Sequence, residues 1–197
     1  DATKFVGTAL TLTANGAIDV QVALGTGVGN ALINANFTAG TTLGVVGVTS
    51  SGLQTYTSPS ISAQGAYTAT GTGGSDTIQF AGPVALLGNV IVTGGGLVGD
   101  DVVFTGAVTG AWSLGIAAAA GDVDMQGNVG PGVTGFTVTG SGTTDLRNVV
   151  VGAGGMGGYS LGCSLTERCI ALVDVDDKAM ANAMKAAKDK GQEPKSF

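Results

Sequence analysis

Between Phe5 and Leu146 the chain holds no lysine, arginine or histidine, and through that stretch apolar residues recur every 21 to 26 residues with glycine at most boundaries. A repeat of that length, without the 3.6-residue rhythm of an amphipathic helix, is the sequence pattern of a stacked solenoid of strands. Two phases carry it. The first pairs residues four apart: Leu10/Ala14, Ile33/Phe37, Tyr56/Ser60, Phe80/Val84, Phe104/Val108, Met125/Val129 and Leu146/Val150. The second pairs residues two apart: Val20/Val22, Val46/Val48, Tyr67/Ala69, Val90/Val92, Leu114/Ile116, Phe136/Val138 and Tyr159/Leu161. Residues two apart on a strand face the same way, so these pairs from successive turns stack into one core. The expectation is an all-β parallel solenoid of about seven coils, each with two or three short strands.

The segments between the strands agree. GTGVGN, TGTGGSD, TGGGLVGDD and TGSGTTD concentrate glycine and short polar residues where tight corners need positive φ and small side chains. A disordered glycine-rich chain is the rival, and 44% hydrophobic residues is too apolar for it.

Charge bounds the partners. The stretch free of basic residues carries seven aspartates, which argues against nucleic acid, whose phosphates require clustered Lys and Arg, and against an anionic membrane surface. No apolar run reaches 18 residues, so no membrane insertion is expected. A start at Asp1 without methionine is expected of a processed or excised chain. The absence of histidine removes Ser-His-Asp and Cys-His catalysis, and no catalytic residue is expected.

The segments LQTYTSPSISAQGAYTATGTGGSDTIQFAGPV and GDDVVFTGAVTGAWSLGIAAAAGDVDMQGNVG carry a QTY strand, a glycine turn and a DT-x-x-F-x-G-x-V strand. Over roughly residues 8 to 162 the chain resembles the repeats of filamentous-haemagglutinin-type adhesins of Gram-negative bacteria. The resemblance implies a right-handed parallel β-helix, here taken as 1–162, a secreted or cell-surface location, and a structural or adhesive role.

Residues 163–197 differ in composition and read as a tail or cap, with seven of the eight basic residues from Arg147 onward. The run CIALVDVDDKAMANAMKAAKDKGQ predicts a strand and then a helix capped by Asp176 or Asp177. Lysines sit near its end, Gly191 stops it, and Met180, Ala183, Met184 and Ala187 form an apolar stripe. That stripe covers the end of its own solenoid or packs on a neighbour. Cys163 and Cys169 suggest a small disulfide-closed loop, and two thiols without histidine are a poor zinc site.

Two surface patterns remain. Asp76, Asp101, Asp122 and Asp145 recur at steps of 25, 21 and 23, so they form either an edge ladder that calcium relieves or a row of solvated turn carboxylates. Thr11/Thr13, Thr55/Thr57, Thr68/Thr70 and Thr137/Thr139 raise ice binding, yet stepping from Thr68/Thr70 lands on Ile91/Thr93 and Gly115/Ala117, which breaks the array. A polysaccharide-cleaving β-helix is a further alternative, opposed by the lack of a base to hold an acidic sugar. The reading is a non-enzymatic extracellular subunit of a self-associating filament, with no cofactor unless calcium. Its end-to-end partner is itself, through Leu10, Leu12, Met180 and Met184. The alternative is a stalk or binding module of a larger adhesin.

Overall fold

Alternating apolar and small polar residues give strands whose inward side chains need a partner layer, and here the next coil supplies it. The computed structural model describes residues 9–26, 32–71, 73, 76–130, 132–140, 142–146, 171–172, 177–191 and 195–196. One parallel sheet contains, in order, β1 (Leu10–Ala14), β3 (Ala35–Ala39), β5 (Gln54–Thr57), β7 (Ile78–Ala81), β9 (Val102–Phe104), β12 (Val123–Met125) and β14 (Thr144–Leu146). A second contains β2 (Ile18–Val20), β4 (Leu43–Ser50), β6 (Ile61–Ala69), β8 (Val84–Thr93), β11 (Ser113–Ala119) and β13 (Gly135–Gly140), with β10 (Val108–Thr109) also beside β8. From β1 to β14 the strands alternate between the two sheets, with β10 and β11 together in the second, which makes a β-solenoid of about six turns. The further pairs expected at Val150 and at Tyr159/Leu161 lie outside the described residues.

Register in the first sheet aligns Leu12, Phe37, Tyr56, Phe80, Phe104, Met125 and Leu146 in one inward file. Its aromatic members stack face to face: Phe37 on Tyr56 at 5.5 Å, Tyr56 on Phe80 at 4.8 Å, Phe80 on Phe104 at 4.6 Å. Tyr67 from the second sheet meets Tyr56 and Phe80 edge-on at 5.3 and 5.2 Å, so the two inner faces interlock. The first two rungs correct the expected phase. Leu10 is inward but stands opposite Ala35, and Ile33 lies ahead of β3, 46% exposed.

The second sheet is bent. Register shifts between Val46 and Val48 against β6, and between Ala63 and Gly65 against β8, and in the following coil the bend separates β10 from β11. Each coil therefore has three sides. Gly47 occupies the bend at φ +71, where a Cβ would stand 2.6 Å from the Ala66 carbonyl oxygen. The alignments Val90/Leu114/Phe136 and Val92/Ile116/Val138 are as the spacing predicts. Tyr67, however, faces Val48 and Val92 instead of Val46 and Val90, and Val22 is 67% exposed and outside the core.

One polar group is built into the interior. Gln54 stands between Ala35 and Ile78 in an inward file and is fully buried. Its Nε2 donates to the Thr68 carbonyl at 2.8 Å and to Ser50 Oγ at 2.9 Å, and Tyr56 Oη donates to its Oε1 at 2.8 Å. Tyr67 Oη donates to the Val45 carbonyl at 2.6 Å. Burial pushes both phenols well above their usual pKa, because the phenolate would be charged inside an apolar rod.

The chain divides into two compact units, Asp1–Asn148 and Val149–Phe197. In the second, β15 (Ala171–Leu172) pairs in parallel with β16 (Lys195–Ser196), and α1 spans Asp177–Asp189. Lys188 lies in the last turn of α1, and Gly191, at φ +73, donates its N–H to the Lys188 carbonyl beyond the helix end. Ala183 and Ala187 are buried, with Met180, Met184 and Ala186 packed against them, so the apolar stripe is the one the sequence indicates.

Candidate assembly surface

The inward files are sealed in the middle of the solenoid and open at its first coil. Ile78, Phe80, Val102 and Phe104 have no exposed surface, whereas Leu12, in register with them, is 37% exposed, and Leu10, Ile18 and Val20 are only half-buried. β1 and β2 stand at the ends of their sheets, so among the described residues each has a strand neighbour on one side alone. At the opposite end β13 and β14 terminate the two sheets, and Phe136, Val138 and Leu146 are again half-buried. Among the described residues, then, the two sheets end on partly exposed apolar strands of like chemistry at either end of the stack. Leu10 and Leu12 lie on the first edge, while Met180 and Met184 belong to the helical unit. Cys163 and Cys169 lie outside the described residues.

The four spaced aspartates do not form one file. Ile78, Val102, Val123 and Thr144 are in register, which stacks Asp76 on Asp100, Asp101 on Asp122, and Asp145 on Asp124. The coil steps here are 24, 21 and 21, and an error of one residue moves a side chain to the opposite face. Most of these acids serve neighbouring backbone. Asp101 Oδ1 accepts the Asp122 N–H at 2.9 Å, Asp122 Oδ1 accepts the Thr143 N–H at 2.6 Å, and Asp76 Oδ2 accepts the Gly73 N–H at 3.3 Å. Buried Asp100, which spacing overlooked, accepts N–H groups from Asp76 at 3.1 Å and Leu97 at 2.8 Å. A shallow depression on the first sheet is lined by Asp101, Asp122, Asp124 and Asp145. Among the described residues no set of three or more potential ligands is arranged to hold a metal ion.

The threonines also fall differently. Thr68 is opposite Thr93, not Ile91, and the file Thr49–Thr68–Thr93 is interrupted at Ala117 before Thr139. On the first sheet Thr11/Thr13, Asn36/Thr38 and Thr55/Thr57 make three rungs and end at Gln79/Ala81. No helix among the described residues is long and apolar enough to cross a membrane. Compared with protein-family models, curated proteins and solved structures, the chain finds no match in any of the three.

Proposed function

We propose that the protein is a non-enzymatic subunit of an extracellular filament, built by head-to-tail addition of solenoids. The observation that carries this reading is the contrast between the sealed middle files and the open first coil. An exposed strand edge over exposed apolar side chains is a template for another strand. Both edges are parallel-strand edges, so the C-terminal edge of one copy offers the N-terminal edge of the next the neighbour it lacks. A head-to-tail contact of this kind does not close on itself and propagates as a fibre. The absence of basic residues between Phe5 and Leu146 favours a structural role over one at nucleic acid.

The test is sedimentation and negative-stain electron microscopy at neutral pH, comparing the parent with a Leu10→Lys/Leu12→Lys double variant. Fibres from the parent and single rods from the variant are expected, because lysine places charge on the edge as natural edge strands do. A monomeric parent, or a variant that still pellets as fibres, overturns the stacking reading. Monomeric rods are what the second reading, a stalk or binding module of a larger adhesin, requires.

A further inference from the structure

The turn between β1 and β2 contains the chain's single Asn-Gly step, Asn15–Gly16. Both residues are exposed, and a Cβ on Gly16 would meet nothing within 4 Å. The Gly16 carbonyl is engaged by the next coil, accepting the N–H groups of Gly40 at 3.1 Å and Thr41 at 3.3 Å. Its N–H is not, for among the described residues no acceptor holds it. The other described asparagines are placed differently. Asn34, Asn36, Asn89, Asn128 and Asn182 each precede a buried residue with a side chain, namely Ala35, Phe37, Val90, Val129 and Ala183. The Ala35 N–H, for instance, is held by the Leu53 carbonyl at 2.9 Å.

We propose that Asn15 is a self-modification site at which the chain, with water as the only co-reactant, converts this asparagine to aspartate and isoaspartate. The Gly16 backbone nitrogen gives up its proton and attacks Asn15 Cγ. A bond forms between that nitrogen and Cγ, the Cγ–Nδ2 bond breaks, and the amide nitrogen leaves as ammonia with the proton. The product is a five-membered cyclic imide. Water then adds to one of its two carbonyl carbons, leaving its hydroxyl there and returning a proton to the nitrogen as that C–N bond breaks. Opening at the side-chain carbonyl gives aspartate. Opening at the main-chain carbonyl gives isoaspartate, whose backbone runs through Cγ. What the structure supplies is access: no side chain on residue 16 crowds the attacking nitrogen, no described acceptor holds its proton, and the step lies between strands.

Placement decides the consequence. The Gly40 N–H is clasped from both sides of the modified bond, by the Ala14 carbonyl at 2.9 Å as well as by Gly16, and a Cβ on Gly40 would collide with the Asn15 carbonyl oxygen. Isoaspartate inserts a methylene between the Ala14 and Gly16 carbonyls and turns the Asn15 carbonyl into a charged carboxylate beside Gly40. The two carbonyls then no longer converge on one N–H, and the first coil loosens from the second at this corner. The loosening is local, because each coil of such a stack is held by its neighbours and not by the whole. This inference does not depend on end-to-end assembly.

The full chain is aged at physiological temperature, at neutral and at mildly alkaline pH, beside the Leu10→Lys/Leu12→Lys variant. Peptide mapping by mass spectrometry, with electron-transfer fragmentation to separate aspartate from isoaspartate, reads each asparagine. Asn15 should convert at least about tenfold faster than any of the other five, faster still at alkaline pH, with isoaspartate among the products. Gly16→Ala, whose methyl has open space, should keep the parent's melting temperature and slow the conversion by about tenfold. In the aged chain amide hydrogen exchange should quicken at Gly40 and Thr41 and stay slow at Phe80 and Phe104. Conversion in the lysine variant alone supports the site and shows that a second copy covers it in the parent. The proposal is overturned if Asn15 converts no faster than the other asparagines in both proteins, if aspartate forms without isoaspartate, if Gly16→Ala converts as fast as the parent, or if conversion begins only once urea unfolds the chain. Unchanged exchange at Gly40 overturns the loosening of the coil.

Discussion

Leu12 and Phe80 occupy the same inward file and share an apolar chemistry, yet one is exposed by more than a third and the other not at all. The difference lies in the neighbours. Phe80 is covered by Tyr56 on one side and Phe104 on the other, whereas among the described residues Leu12 is in register with Phe37 on one side only. In a stack where each coil touches only those adjacent to it, burial belongs to the interface between coils, and a terminal coil realises about half of what its sequence offers. Substitutions should therefore grade by position in the stack more than by chemistry.

The sharpest break is Phe104→Asp, which buries an unpaired charge between Phe80 and Met125 and should cost on the order of 4 kcal/mol or more. Thermal melts followed by circular dichroism should find the variant unfolded, whereas Leu12→Asp in the same file should cost under about 1 kcal/mol. A similar melt for both would remove the distinction. Gly106→Ala comes next. Gly82, Gly106 and Gly127 stack in successive turns between the first sheet and the second, and a Cβ on Gly106 would collide with the Gly82 carbonyl carbon. Backbone cannot rotate away as a side chain can, so a loss of about 1–3 kcal/mol is expected.

Tyr56→Phe should cost about 1–2 kcal/mol by leaving Gln54 Oε1 buried without its donor, as chemical denaturation would measure. The same phenols set an alkaline limit. Their folded pKa values lie above the unfolded value of about 10, so folding favours the protonated form. That contribution is complete below the unfolded pKa and is lost as pH rises above it. The melting temperature should fall above about pH 10, and less so in Tyr56→Phe/Tyr67→Phe. The smallest effect on stability is expected of Leu10→Lys/Leu12→Lys, well under the cost of any core change, although this pair should act most strongly on sedimentation.

The coils with large aromatics were legible from sequence, and the first ones less so. Tyr56, Phe80, Phe104, Met125 and Leu146 follow steps of 24, 24, 21 and 21, as spacing indicates. Ahead of them the true steps are 25 and 19, from Leu12 to Phe37 to Tyr56, whereas Leu10 and Ile33 imitate an even 23 and 23. A long turn followed by a short one keeps the average period and hides the individual rungs. The acids failed for the same reason, since a ladder needs register exact to one residue and spacing gives it to two. Trp112, just ahead of β11 and 45% exposed, departs from the pattern because apolar periodicity assigns aromatics to the core, and what exposes this one is the bend of the second sheet, a tertiary feature. Gln54 entered the sequence reading only as a letter of the QTY strand: an amide in an inward file is legible as buried only once the carbonyl of Thr68 and the hydroxyl of Tyr56 are seen around it.

The turns entering the first sheet absorb the variation in coil length. Between β4 and β5 three residues suffice, while between β8 and β9 the chain takes the eight of 94–101, tied down by Asp100. At the tip of that longer turn Gly96 has open space where a side chain would be, and Leu97 and Val98 stand in solvent. A rod that tolerates such unequal excursions at one corner, while its sheets keep their pairing, has a ready address for cargo. A foreign peptide spliced between Gly96 and Leu97 would be displayed at a fixed height along the axis, leaving the Leu97–Asp100 turn and the rungs above and below it undisturbed.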